Sequence, residues 1–230
     1  MQAELIDHMG SDLTVVNAAR VSFDKESEWE YGVKWDGKLE PNTVISVSQS
    51  LSERDDRLIH YLASHNHWTP FSHPQVTLRE TVPIFVARQR FKHVVGFSYN
   101  EVSRRYVDSI PEFYEPKIWR ARAENKKQGS SDKPIEDKWV PAYWMEVTET
   151  CMNAYTKMLQ AGVAPEQARM VLPQSMYTSY YVTGSLAAWA RAYTLRSSPD
   201  AQREIQELAA QWDSIIRPLY PQSWKALTNA

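Results

Sequence analysis

Residues 76–106 read VTLRETVPIFVARQRFKHVVGFSYNEVSRRY, and the hydrophobic pattern changes clearly in the first half of this stretch. From Val76 to Val82 apolar and polar residues largely alternate, which is typical of a β-strand. Pro83 follows, and proline is favoured as the first residue of a helix because an N–H group there has no intrahelical partner. The stretch therefore predicts a strand over 76–82 and a helix from Pro83 to about His93.

Similar patterns extend from this strand and helix towards both ends of the chain. They predict strands over 2–8 and 177–183, helices over 12–20, 141–161 and 185–196, a helix capped by Ser52 and Asp55, a short helix from Pro165 and a last helix from Pro199 to about Leu219. Residues 24–42 are typical of a surface loop or hairpin, and the polar residues 124–138 predict a mobile loop. Because the sequence contains no repeat or linker, we expect a single α/β (α+β) domain over residues 1–230.

The charge and composition of the chain argue against several classes of protein. The net charge is −2 and the pI is about 6.3, whereas proteins that bind nucleic acids or membrane surfaces carry a basic excess. No apolar run approaches the roughly 20 residues that cross a bilayer, and no signal peptide is visible at the N-terminus. Cys151 is the only cysteine, which excludes an intramolecular disulfide. We therefore expect a cytoplasmic protein without nucleic-acid or membrane partners.

A basic cluster runs from Arg88 to Arg105 within the quoted stretch. It contains one acid, Glu101, among six basic side chains, namely Arg88, Arg90, Lys92, His93, Arg104 and Arg105. Arginine binds phosphate through two parallel hydrogen bonds, so the cluster is consistent with an anion site. A solvated basic helix face explains the same pattern equally well. Glu101 accordingly has three interpretations, as a residue that positions a ligand, as a base or as a neutralising partner of the arginines.

Other motifs argue against common enzyme classes. Ser98 lies in Gly-Phe-Ser-Tyr-Asn, which lacks the final glycine of a nucleophile elbow, so a serine hydrolase is not expected. No two glycines form Gly-x-Gly, so the chain has neither a Rossmann fingerprint nor a Walker loop. A histidine cluster has no cysteine or carboxylate within its stretch, and we predict no metal site there; it consists of His60, His65, His67 and His73.

Several separated motifs together resemble one enzyme family. Asn-Glu-Val-Ser-Arg-Arg-Tyr at 100–106, after a basic helix, resembles part of the motif of flavin-dependent thymidylate synthases, which is Arg-His-Arg followed by seven residues and Ser. Further family motifs have counterparts in the same order, at 18–23 (Ala-Ala-Arg-Val-Ser-Phe), 67–71 (His-x-Thr-Pro-Phe), 87–89 (Ala-Arg-Gln), 168–173 (Ala-Arg-x-Val-Leu-Pro) and 195–205 (Leu-Arg, then Ala-Gln-x-Glu-Ile). Several motifs in one order are more specific than any one alone.

The resemblance implies a set of site residues. The residues implied to bind dUMP are Gln89, Arg90, Lys92, Glu101, Ser103, Arg104, Arg105, Arg169 and Arg196. Those implied to bind FAD are Ser22, His67, Thr69, Lys92, His93, Glu101, Ser185 and Arg191. Arg196, Glu101 and Ser103 are the implied catalytic residues, and Arg196 would hold the uracil ring and stabilise negative charge on it.

The resemblance also implies a reaction, a fold and an assembly. The family transfers a one-carbon unit from methylenetetrahydrofolate to carbon 5 of dUMP, and FAD reduced by NADPH supplies the hydride that completes the methyl group. This chemistry needs no cysteine nucleophile, which agrees with a single cysteine inside a predicted helix, where we expect Cys151 to be a packed structural thiol. The implied fold is a central, mostly antiparallel sheet with flanking helices, in a homotetramer whose sites are built from several subunits.

The sequence departs from the family where the flavin is bound. The Arg-His-Arg triplet becomes Lys92-His93-Val94, and a later Asn-x-Arg becomes Ser185-Leu186-Ala187. Lysine is a point charge and cannot bind phosphate through two donors as arginine does. Arg90 and Arg191 are candidates to replace the lost cationic contacts. Two other functions therefore stay open, namely flavin-dependent hydroxymethylation of a pyrimidine deoxynucleotide and a catalytically inactive dUMP-binding protein.

Overall fold

The computed structural model describes residues 1–34, 46–106, 110–124 and 129–229. Numbered along the chain, its strands are β1 (Gln2–Met9), β2 (Glu30–Lys34), β3 (Ser46–Ser50), β4 (Gln75–Pro83), β5 (Phe97–Glu101), β6 (Arg120–Arg122), β7 (Ser130–Pro134) and β8 (Tyr177–Ser185). The α-helices are α1 (Asp12–Arg20), α2 (Glu53–Ser64), α3 (Ile84–Arg90), α4 (Trp139–Gln160), α5 (Pro165–Ala168), α6 (Leu186–Arg196), α7 (Arg203–Ile216) and α8 (Pro221–Thr228). Short 3-10 helices lie at Val21–Phe23, Thr69–Ser72 and Arg169–Val171.

A four-stranded sheet in the order β1-β4-β8-β5 forms the centre of the protein, and each pair of neighbours is antiparallel. The expected mixed class with an antiparallel sheet is therefore confirmed. β4 and β8 pair along their full length, from Gln75 opposite Ser185 to Pro83 opposite Tyr177. Both strands follow the same alternation of burial, so one face of the sheet is covered and the other is open.

The hydrophobic core lies on the covered face. Val76, Leu78 and Val82 of β4 contribute to it, together with three fully buried indoles from the helices, those of Trp189, Trp212 and Trp224. Each indole removes a large apolar area from water, so much of the stabilisation comes from these side chains. The same side chains fix α6, α7 and α8 against the sheet.

The opposite face of the sheet carries polar pairs. The hydroxyl groups of Thr77 and Thr183 lie 2.9 Å apart, and Arg79 Nε donates to Ser179 Oγ at 3.1 Å. Tyr181 on the same face is exposed. In the part of the chain that the structure describes, these side chains are exposed or only partly buried.

The predicted cap of α2 is confirmed. Ser52 Oγ accepts from the backbone N–H of Asp55 at 3.1 Å and donates to Asp55 Oδ2 at 2.8 Å. The same carboxylate accepts from Arg20 Nε at 3.0 Å, which ties α1 to α2. Burial raises the pKa of Asp55, but hydrogen bonds from Arg20, Ser52 and Ser27 outweigh this effect and leave the pKa below its usual value.

The predicted bounds of the helix after β4 are wrong. Pro83 ends β4 opposite Tyr177, and α3 begins one residue later and ends at Arg90 instead of His93. The hydroxyl group of Tyr99 lies 3.2 Å from the carbonyl oxygen of Arg90 and 2.8 Å from that of His93. The hydroxyl group of Tyr99 therefore contacts the turn that follows α3.

The predicted last helix is two helices. α7 ends at Ile216, two residues before Pro218, and α8 begins with Pro221 as its first residue. A proline inside a helix removes a hydrogen bond and clashes with the preceding turn, whereas it fits the first turn. The apolar stripe therefore bends back at 217–220, which brings Trp224 into the core.

Each of the two predicted loop segments, 24–42 and 124–138, contributes one strand to a short hairpin. β2 and β3 pair over 30–34 and 46–50, whereas residues 35–45 lie outside the described residues. Within 124–138, β7 pairs with β6, and 125–128 lie outside the described residues. Mobility of that segment, and the single domain over 1–230, stay predictions. Among the residues that the structure describes, no helix is long and apolar enough to cross a membrane.

Candidate active site

The residues implied to bind dUMP fall into two groups, and the first lines one cavity. This arginine cavity has a volume of about 570 Å³ and is lined by Glu101, Ser103, Arg104, Arg105 and Arg169, among others. Glu101 ends β5, and Arg169 begins the 3-10 helix after α5. The cavity thus joins residues that are more than sixty positions apart in the sequence.

The polar side chains of the arginine cavity are oriented by short contacts. Ser103 Oγ accepts from Arg105 Nε at 3.1 Å, and Arg169 Nε donates to the carbonyl oxygen of Glu166 at 3.3 Å. Thr178 Oγ1 donates to Glu101 Oε1 at 2.6 Å. Among the described lining residues, three arginines face two carboxylates, those of Glu101 and Glu166, and this excess of positive charge suits an anionic group such as phosphate.

The second group lies near the other end of β5. Arg196 Nε donates to His93 Nε2 at 2.8 Å, and Arg196 Nη2 donates to the carbonyl oxygen of Gln89 at 3.1 Å. That carbonyl belongs to the last turn of α3, where the helix dipole favours a cation. β5 spans roughly 13 Å from Phe97 to Glu101 at 3.3 Å per residue, and His93 lies in the turn that precedes the strand, so the two groups lie towards opposite ends of β5.

His93 is neutral under ordinary conditions. Burial lowers the pKa of its imidazole to about 4, and the positive charges of Arg196, Arg90 and Arg191 add to this effect. Because Nε2 accepts from Arg196, the neutral ring carries its proton on Nδ1. Burial, followed by the charge of Arg90, also lowers the pKa of Arg196. The pair is thus a guanidinium held by a neutral imidazole, and no carboxylate hydrogen-bonds to Arg196 among the described residues.

Gln89, Lys92 and Arg191 surround this pair. Gln89 Nε2 donates to Gln202 Oε1, Lys92 is exposed, and Arg191 Nη2 donates to the carbonyl oxygen of Val95 at 2.6 Å. Arg191 therefore adds an exposed cation beside the turn in which Lys92-His93-Val94 replaces the family triplet. The role of Arg191 as a replacement for the missing arginine stays a prediction.

Ser185 has a structural contact that the sequence did not suggest. Its side chain is buried and caps α6 by accepting from the backbone N–H of Ala188 at 3.3 Å. Gly96 lies against this cap, and a Cβ at this position would lie only 2.9 Å from Ala188 Cβ and 3.2 Å from Ser185 Oγ.

The turn before β5 therefore requires glycine at position 96, whose φ of +79° and missing side chain allow the close approach to α6.

The structure does not support Arg90 as a ligand-binding residue. Its guanidinium has no exposed surface, and Nε donates to Glu80 Oε1 at 3.3 Å inside the core. Nη1 donates to the hydroxyl of Tyr99, while Nη2 has no hydrogen-bond partner among the described residues. The guanidinium carbon lies 4.3 Å from the centroid of the Phe97 ring and 4.7 Å from that of Trp189. Arg90 is thus a core residue, because its charge is paired and enclosed.

Three of the residues implied to bind FAD lie in the first third of the sequence, and they line a separate groove. This α1–α2 groove has a volume of about 1130 Å³ and contains Ser22, His67 and Thr69. The ring of His67 lies edge-on to that of Tyr61, with centroids 6.0 Å apart. The groove and the arginine cavity share no lining residue within the described part of the chain. The structure therefore does not bring all the implied residues together in one chain.

Three contacts of the site were missed at the sequence level. They involve Tyr99, which binds the carbonyl of His93, Thr178, which binds Glu101, and Gln202, which binds Gln89. Gln202 belongs to the Ala-Gln-x-Glu-Ile motif, so its position was a usable signal. Thr178 and Tyr99 depend on the pairing of β5 with β8, which the sequence alone does not give. No group of three or more histidine, cysteine or acidic residues is arranged to hold a metal ion in the described ranges.

The chain combines an antiparallel sheet with an arginine cavity and with a guanidinium that a neutral histidine holds. It also matches a known family. The family model described as thymidylate synthase complementing protein matches residues 4–222. The flavin-dependent thymidylate synthase of Thermus thermophilus is 36% identical over 222 residues, which cover 96% of this chain and 73% of that protein. The enzyme of the same name from Thermosipho africanus is 36% identical over 225 residues and covers 96% and 88%.

A solved structure has the same fold. The UMP/dUMP methylase PolB from Streptomyces cacaoi, bound with 5-Br UMP, superposes with a TM-score of 0.80 at 29% identity, over 99% of this chain and 93% of that one. The chain therefore belongs to the family of flavin-dependent thymidylate synthases, and it is an enzyme of that class.

Proposed function

We propose that this enzyme converts dUMP to dTMP, with methylenetetrahydrofolate as carbon donor and FAD reduced by NADPH. The observation that carries the proposal is the arginine cavity, which gathers Ser103, Arg105 and Arg169 in a member of this family. The methylase PolB, with which the chain shares its fold, is described as acting on UMP and dUMP. Methylation of a uracil nucleotide is therefore the chemistry that both observations favour.

In this proposal Arg105 and Arg169 bind the phosphate of dUMP, together with the hydroxyl of Ser103. Arg105 is exposed, and its side chain is oriented by Ser103 at 3.1 Å, so little reorganisation is needed when the phosphate binds. Glu101 accepts from Thr178 and faces the same cavity, where it positions the nucleotide.

Arg196 is the residue that we propose to stabilise negative charge on the uracil ring. It is partly buried, and two fixed acceptors, His93 Nε2 and the carbonyl of Gln89, hold it in place. A positioned cation in a partly desolvated site stabilises developing charge more than it would in water. Since His93 is neutral, it orients Arg196 without cancelling its charge.

The residues for the flavin fit an anionic, aromatic cofactor. Lys92 and Arg191 add exposed positive charge near His93, and the α1–α2 groove offers Ser22, His67 and Thr69. When bound, FAD supplies the hydride that completes the methyl group. The protein contributes the cations that hold the phosphates of the cofactor and the cavity that orients the nucleotide.

We further propose that the sites are completed between subunits of a homotetramer. The groove and the cavity are separate in one chain, and large apolar side chains are exposed near them, including those of Val94, Val95, Met170 and Leu195. Exposed apolar patches of this kind are typical of interaction surfaces. Light scattering of the purified protein tests this part, since a monomer at micromolar concentration would contradict it.

Turnover under anaerobic conditions, with mass analysis of the nucleotide, tests the reaction. We expect dTMP from dUMP in the presence of FAD, NADPH and methylenetetrahydrofolate, and a decrease in kcat of at least about 100-fold for Arg196→Ala. Arg203→Ala, on the surface of α7, is the control and should retain activity. A hydroxymethylated product would identify the altered reaction, and dUMP binding without turnover would identify an inactive nucleotide-binding protein. A parallel assay with UMP measures whether the enzyme prefers the deoxyribose of dUMP to the ribose of UMP.

A further inference from the structure

The α1–α2 groove has a wall that the binding of dUMP does not use. Among the residues that the structure describes, its lining contains four cations, those of Arg20, Lys25, Arg54 and Arg57, and no aspartate or glutamate. Three large aromatic side chains in the same lining are more than half exposed, namely Phe23, Tyr61 and Trp68. Exposed rings beside several cations suit a ligand that has both planar and anionic parts.

The positive charge of this wall is only partly compensated. Arg20 is neutralised by the buried carboxylate of Asp55. Arg57 pairs with Glu53 at 3.3 Å, but both side chains are largely exposed, so the pair is weak. Among the described residues, no carboxylate lies within 4.0 Å of the charged groups of Lys25 or Arg54. An anion that binds here therefore does not have to displace a strong internal partner.

Along α2, the lining of the groove changes from charged to aromatic side chains. Arg54, Arg57 and Tyr61 are spaced at i, i+3 and i+7 on one face of α2, which places Arg54 roughly 10 Å from Tyr61 along the helix axis. Beyond Tyr61 the lining continues to His67 and Trp68. A matching ligand carries its rings at one end and its negative charges at the other.

We propose that this wall binds the p-aminobenzoyl-glutamate tail of the folate carbon donor, with the tail carboxylates on Lys25, Arg54 and Arg57. The inference rests on the proposed function, because it takes methylenetetrahydrofolate as a substrate. The order of side chains along α2 corresponds to that of a folate, whose pterin and aminobenzoyl rings precede its carboxylates. The cations lie on the exposed rim, where additional glutamates of a longer tail have room to extend along α2.

The double variant Arg54→Gln/Arg57→Gln tests the site. For the triglutamate form of methylenetetrahydrofolate we expect KM to rise roughly three- to tenfold, with kcat unchanged, because the lost contacts stabilise ground state and transition state equally. The effect should be smaller for the monoglutamate and should shrink at high salt. Arg203→Gln is the matched control, since Arg203 forms the same type of exposed pair, with Glu207, away from the groove.

Calorimetry with p-aminobenzoyl-triglutamate, which lacks the pterin, gives a readout that does not depend on turnover. The probe should bind to the FAD- and dUMP-loaded wild-type protein and bind more weakly to the double variant. An unchanged probe affinity and an unchanged folate KM would overturn the inference. So would a loss of FAD affinity with an unchanged folate KM, because the cations would then serve the phosphates of the flavin.

The two proposals fail in different ways. Absence of dTMP with the wild-type protein contradicts the proposed function, and the calorimetric comparison then decides on the tail site by itself. Formation of dTMP with equal KM values for wild type and double variant leaves the proposed function intact and contradicts only the tail site.

Discussion

Arg90 and Arg105 belong to the same basic stretch of sequence, but the fold places them in opposite environments. Arg90 is fully buried, pairs with Glu80 and is enclosed by aromatic rings, whereas Arg105 is exposed at the arginine cavity and contacts Ser103. A charge in the core must be paired within the protein, while an exposed guanidinium keeps donors for a phosphate. Burial therefore distinguishes the arginines that stabilise the fold from those that are available to a ligand. Their position in the sequence does not distinguish them.

Removal of the partner of the buried arginine should have the largest effect. Glu80→Ala leaves the charge of Arg90 in the core without its carboxylate, and it also removes the acceptor for the hydroxyl of Tyr180, which lies 2.6 Å from Glu80 Oε2. We expect the free energy of unfolding to decrease by about 3–5 kcal/mol, measured by urea denaturation.

The control for this change is Glu207→Ala, which breaks an exposed pair with Arg203 on α7. Its expected effect is within about 1 kcal/mol. Equal losses for Glu80→Ala and Glu207→Ala would show that Arg90 does not depend on its buried partner.

A smaller effect is expected for Tyr99→Phe, which removes one hydroxyl between the core and the site. Burial raises the pKa of Tyr99 to about 12, so the hydroxyl is protonated and donates to the carbonyl oxygen of His93. Its loss leaves Nη1 of Arg90 unpaired and frees the turn that carries His93. We expect a decrease of about 1–2 kcal/mol in the free energy of unfolding, and a lower kcat with little change in the affinity for dUMP.

The exposed tyrosine of α4, Tyr143, supplies the matched control for this substitution. Tyr143→Phe should leave both stability and kcat near the wild-type values. A wild-type kcat in Tyr99→Phe would mean that the turn is held without this hydroxyl.

The smallest effect concerns pH. The pKa of His93 is lowered to about 4 in the folded protein from an ordinary value of 6.5, so between these values the unfolded chain binds the additional proton. The stabilising effect of the neutral ring is complete above pH 6.5 and is lost as the pH falls towards 4. Denaturation midpoints at pH 7 and pH 5 should therefore differ less in His93→Gln than in the wild type. The same pH dependence in both proteins would contradict this assignment.

Much of the fold follows from local pattern. The helix over 12–20, the cap at Ser52 and the strand that starts at Tyr177 were predictable because alternation and capping are local properties. The break between α7 and α8 was also readable, since Pro218 and Pro221 stand in the sequence, but the continuous apolar stripe obscured it.

The site was predictable only in part. The resemblance to the family selected Ser103, Arg105 and Arg169, which the structure places around one cavity. It also selected Arg90, which is buried, because charge alone does not report whether a side chain points to the core or to solvent. The pairing of Arg90 with Glu80 depends on two elements that meet only in the folded chain.

The most direct test of this distinction between the two arginines is a calorimetric titration of Arg105→Gln with dUMP. We expect an affinity at least about tenfold weaker than that of the wild type, with an unchanged midpoint of urea denaturation. Wild-type affinity in the variant, or a loss of affinity that appears only together with a loss of stability, would contradict it.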